Sequence, residues 1–89
     1  MSGTLHIFRL KSNPVEFQVN YNLGSATWVK VFDNKEIDHF LRHDATLAED
    51  QASAVLKELS ESGRSTLGAF RFHEPHLAEM GFSESPSEG

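Results

Sequence analysis

The stretch VEFQVNY, Val15 to Tyr21, limits what this chain can fold into more than any other. Val15, Phe17, Val19 and Tyr21 alternate with Glu16, Gln18 and Asn20, so one face is apolar and the other wet. Only extended backbone sends every second side chain to the same side. The segment is therefore a half-buried strand of an antiparallel sheet. Turn signals bracket it: KSNP ends in Pro14 and NLGS contains Gly24. On either side lie TLHIFRL (Thr4–Leu10) and ATWVKVF (Ala26–Phe32), which complete a three-stranded meander.

After Phe32 the apolar period changes from two to that of a helix. DNKE, Asp33 to Glu36, has the form of a capping box, in which Asp33 accepts from the first-turn amides. Ile37, Phe40 and Leu41 follow at helical spacing. TLAE, Thr46 to Glu49, has the same form and opens a second helix. Its stripe is Ala48, Ala52, Val55, Leu56 and Leu59, and Gly63 ends it. STLGAFRF (Ser65–Phe72) reads as a fourth strand. HEPHLAEMGF reads as a short helix with Pro75 near its start and Gly81 past its end.

This order, βββααβα, predicts an α+β fold: an antiparallel sheet with helices packed on one face. A chain of 89 residues supports one core, so residues 1–82 are expected to form a single domain. The polar tail SESPSEG, residues 83–89, is expected to be disordered.

Composition narrows the function classes. The formal charge of −5 argues against a phosphate-backbone binder, and no nucleic-acid partner is expected. GAFRF, Gly68 to Phe72, has the wrong register and topology for an aromatic RNA-binding strand, so its phenylalanines are assigned to the core. Without cysteine, thiolate metal sites and cysteine catalysis are excluded. No apolar run reaches the roughly 18 residues of a membrane helix, and no leader pattern opens the chain; the expectation is a cytoplasmic protein with no membrane partner. There is no GxSxG elbow, no phosphate cradle and no carboxylate pair placed for acid–base work, which leans away from an enzyme and names no catalytic residue.

Two features remain as candidate sites. DHFLRHD places His39 and His43 four apart, and HEPH places His73 and His76 three apart, with Asp38, Asp44 and Glu74 beside them. Imidazole with an oxygen ligand suits zinc or nickel, so these four histidines form an alternative, metal-binding or metal-responsive reading. Against it, His39 and His43 point away from the apolar stripe of their helix, nothing requires the two pairs to meet, and the HExxH pattern is absent.

The leading reading rests on the strands. Phe8 contrasts with Leu5 and Ile7, and Trp28 and Phe32 contrast with Val29 and Val31, so the outer strands carry apolar groups on both faces. A strip left uncovered by the helices would meet a partner or a second copy, unless the C-terminal helix, with Leu77, Met80 and Phe82, folds over it. The sequence thus favours a non-enzymatic interaction or regulatory domain without cofactor. It would bind a protein partner or itself as a homodimer, through a sheet face or edge around Phe8, Trp28 and Lys30.

Overall fold

Strand β2 (Val15–Leu23) forms the middle of the sheet and buries Phe17, Val19 and Tyr21 as its alternation requires. A computed structural model describes residues 3–86. In it β1 (Gly3–Ser12) and β3 (Ala26–Asp33) pair antiparallel with β2. The fourth strand, β4 (Arg64–Phe70), returns to pair antiparallel with β1. The final strand, β5 (Ser83–Pro86), pairs antiparallel with β3, so the order across the five-stranded sheet is β4-β1-β2-β3-β5.

Register sorts the side chains. Phe17 lies opposite Phe32, Val19 opposite Lys30 and Tyr21 opposite Trp28, so all six share the inner face with Leu5 and Ile7. The helices pack there. Helix α1 (Asn34–His39) begins at the expected box: the Asp33 carboxylate accepts from the Lys35 and Glu36 amides, and Glu36 accepts in return from the Asp33 amide. It runs into a wider π-helical turn, Phe40–Asp44, closed by the Ala45 amide donating to the Phe40 carbonyl at 2.9 Å. Helix α2 (Glu49–Ser62) buries Ala52, Val55 and Leu59 and ends at Gly63, which adopts a left-handed φ of +79°. Arg9, just before a bulge in β1, donates to the Leu59 and Ser60 carbonyls and so caps that helix end from the sheet. Helix α3 (Glu74–Met80) buries Leu77 and leads to Phe82, which packs against Phe32 and Phe40.

Three expectations change. Thr46 does not cap α2; the helix starts three residues later, where the Gln51 side chain accepts from the Ala48 amide. Thr46 has a φ of +53° and its hydroxyl turns back to the Ala45 carbonyl, so it serves the turn and not the helix. Of the tail expected to be disordered, residues 83–86 form β5 on the free edge of β3, and residues 87–89 lie outside the described residues. The fourth strand ends at Phe70, two residues early. Beyond it the Tyr21 hydroxyl donates to the Phe70 carbonyl at 2.8 Å and accepts from the Phe72 amide at 3.3 Å, replacing ladder bonds with a side-chain clamp. Gly3 is required beside this clamp, since a Cβ there would meet the Asn22 carbonyl oxygen at 2.4 Å and the Tyr21 ring at 2.6 Å.

Candidate functional site

The position of α3 decides which surface is free. Phe82 and Leu77 bury into the inner core, so α3 lies on the same side as α1 and α2. Among the described residues, no helix covers the opposite face of the sheet. That outer face is laid out in rows by the register. One row reads Arg64, Phe8, Gln18, Val31 across β4, β1, β2 and β3. The next reads Thr66, His6, Asn20, Val29, ending at Ser83 on β5. A third contains Thr4, Asn22 and Thr27.

The face is thus an amide stripe on β2 flanked by apolar groups on β1 and β3. Gln18 donates to the Asn20 side-chain oxygen at 2.8 Å, and the Thr27 hydroxyl donates to that of Asn22 at 2.9 Å, so the amides are held in place. His6 and Phe8 lie side by side with nearly parallel rings, centroids 6.5 Å apart. Val31 is 46% exposed, a large value for a β-branched residue inside a strand. At one end, Lys11 pairs with Glu16 at 3.7 Å and leaves a charged rim.

Phe8, Trp28 and Lys30 do not share this surface. Phe8 lies on the outer face, half-buried. Trp28 and Lys30 lie on the inner face, where Trp28 is buried and its indole N–H has no acceptor among the described residues. The alternation within β3 already separates Trp28 and Lys30 from Val29 and Val31. Which pair joins Phe8 depends on cross-strand register, and that put Val29 and Val31 there.

Lys30 belongs to a second surface, a cleft of about 470 Å³ between α1 and the end of α3. Phe32, Phe40 and Met80 line it, the two rings almost wholly buried. Lys30 and Lys35 stand on its walls with Glu36, His39 and Asp44. The Lys30 ammonium donates to the Met80 carbonyl at 2.6 Å and sits 4.7 Å from the centre of the Phe32 ring, which holds its long stem against the wall.

Of the four histidines His39 lines this cleft, and the four do not form a ligand set. His39 and His43 stack, with centroids 4.3 Å apart and planes inclined by 25°, an arrangement of ring faces and not of converging nitrogens. His76 approaches Asp44, Nε2 to Oδ1, at 3.9 Å, so the two histidine-bearing segments do adjoin, through this pair. Asp38 is tied instead to Arg42 at 2.8 Å. His73 is exposed at the start of α3. Among the described residues no three histidine or carboxylate side chains are grouped to hold a metal ion.

Arg42 bonds Asp38 on its own helix and Glu49 at the start of α2, and its hydrogen bond to Asp38 raises its already high pKa. It therefore acts as a permanent cation bridging two elements rather than as a proton donor. The fold and its two surfaces define a small α+β domain with helices on one side of the sheet and an open sheet face on the other. No described helix is long and apolar enough to cross a membrane. Compared with known proteins, the chain matches no family model, no curated protein and no solved structure.

Proposed function

We propose that this domain is a non-enzymatic interaction module that associates with a second copy of itself through the open face of its sheet. One observation carries the reading: the face is apolar, amide, apolar across β1, β2 and β3, with Phe8, Gln18 and Val31 level in one row. A two-fold axis running along β2 maps this pattern onto itself. It sets Phe8 of one copy over Val31 of the other, His6 over Val29, and the Gln18 and Asn20 amides over their own counterparts. Such an isologous contact closes after two subunits.

The dimensions set its strength. Strands about 4.8 Å apart and a rise of about 3.3 Å per residue give five strands a face of roughly 24 by 20 Å. That lies below the roughly 800 Å² per partner of a standard interface, so the expected dimer is weak, with Kd in the range of about 1–100 μM. Sedimentation equilibrium between about 1 and 500 μM tests this. Val31→Lys is the discriminating variant, because an exposed residue tolerates the change in the monomer and a charge over Phe8 does not fit the dimer. A wild-type protein that stays monomeric throughout, or a variant that dimerises as well as the wild type, rejects the proposal.

A further inference from the structure

We infer that protonation of His6 releases the dimer, so that the open sheet face pairs at neutral pH and separates in mild acid. This rests on the sheet-face reading above and adds its regulation. His6 is half-buried on the outer face, in the row Thr66, His6, Asn20, Val29, Ser83. The other four histidines belong to the helical segments on the far side of the sheet. The two-fold that sets Phe8 over Val31 sets His6 over Val29 of the other copy. Its ring lies nearly parallel to that of Phe8, centroids 6.5 Å apart, so the two form one flat strip on β1. A neutral imidazole can enter such a contact with its hydrogen bonds kept. An imidazolium pressed onto a valine loses hydration and gains no partner.

Among the described residues, no group around His6 offsets a charge there. From β4 come Thr66, whose hydroxyl lies 3.3 Å from Nδ1 and can donate or accept, and Arg64, a second cation. From β2 come the neutral amides of Gln18, Asn20 and Asn22; the Asn20 oxygen already accepts from Gln18 and the Asn22 oxygen from Thr27. From β3 come Thr27, Val29 and Val31, and from β5 Ser83. The two-fold brings the same set from the other copy. The carboxylates of this face, Glu16 and Asp33, stand together in the rim row, about 13 Å along the strands from His6. Glu16 pairs there with Lys11, and Asp33 accepts from the first amides of α1. The direction of the effect is diagnostic. With a formal charge of −5 at pH 7, acid lessens repulsion between copies, which by itself tightens their association. Weakening in mild acid therefore needs a titrating group within the contact.

The test is sedimentation equilibrium of the full chain at about pH 8 and about pH 6, at one ionic strength, for the wild type and His6→Gln. Histidine ordinarily titrates near pH 6.5, and each copy must enter the contact without that proton. The wild-type Kd is therefore expected to rise about 15-fold from the higher pH to the lower. His6→Gln keeps a neutral hydrogen-bonding side chain beside Phe8 and is expected to dimerise with no weakening over the same range. Trp28 fluorescence, recorded at both pH values, is expected to stay constant, which separates release from unfolding. A wild-type dimer whose Kd is unchanged or tighter at about pH 6 overturns the inference and leaves the dimer standing. So does a His6→Gln dimer that weakens in acid as the wild type does, or a Trp28 emission that shifts between the two. A chain that stays monomeric at about pH 8 up to about 500 μM rejects the dimer itself, and the switch with it.

Discussion

Removing a single oxygen, by Tyr21→Phe, tests how the segment that carries α3 is held to the sheet. Tyr21 is fully buried, and its ring keeps its edge-on contact with Phe72 in the variant, centroids 5.2 Å apart. What is lost is the hydroxyl that donates to the Phe70 carbonyl and accepts from the Phe72 amide. Each hydrogen bond contributes about 0.5–1.5 kcal/mol net, and a partner stranded away from water costs about 1–3 kcal/mol. Phe72 is only half-buried, so water can reach part of what is exposed, and about 2 kcal/mol is the expected loss. Against a total stability of roughly 4–13 kcal/mol for a chain of this length, that is a large share. The melting temperature should fall by about 8–16 °C. Urea denaturation reads the same quantity through Trp28, the lone tryptophan, whose buried indole becomes wet on unfolding. Hydrogen exchange localises it: the Phe72 amide should lose protection before amides of β2. A loss under about 0.5 kcal/mol with Phe72 exchange unchanged would refute the clamp, and segment 70–73 would then be held by its aromatic packing alone.

Two further outcomes follow from the helix ends. Asp33→Ala removes the acceptor for the Lys35 and Glu36 amides and should cost about 1 kcal/mol in urea denaturation, with Asp33→Asn recovering most of it. Arg42→Gln breaks the bridge from Asp38 to Glu49 and should lower the melting temperature at low salt, with the difference shrinking at high salt as screening takes over. Because Asp38 raises the folded-state pKa of Arg42 above its already high ordinary value, its contribution is complete below that unfolded value and is lost only as pH rises through the higher folded one. The Arg42→Gln difference should therefore show no step from Arg42 itself between about pH 5 and 9, which thermal melts across that range would check.

The elements whose physics is local were legible in the sequence, and the surfaces they assemble were not. The alternation of β2, the Asp33 box and the stripe of α2 each follow from neighbours within a few residues, and each stands in the structure close to where it reads. β5 gave no such signal, because a polar four-residue segment becomes a strand only when a free edge such as that of β3 is beside it. The same limit governed the sites. Period two separates Trp28 and Lys30 from Val29 and Val31 on sight, but it cannot say which pair joins Phe8. That is decided by Gln18 lying opposite both Phe8 and Val31, a relation between three strands. The cleft is a step further removed, since Lys30, Phe40 and Met80 come from three elements and meet only because α3 docks beside α1. One clue was present: a lysine between Trp28 and Phe32 on an otherwise apolar strand face. A cation with a long stem is tolerated in such a row where the stem can pack and the head can reach out, as Lys30 does along Phe32 to the Met80 carbonyl. A charge that breaks an inward-facing apolar row is therefore the part of this pattern that marks where the core opens.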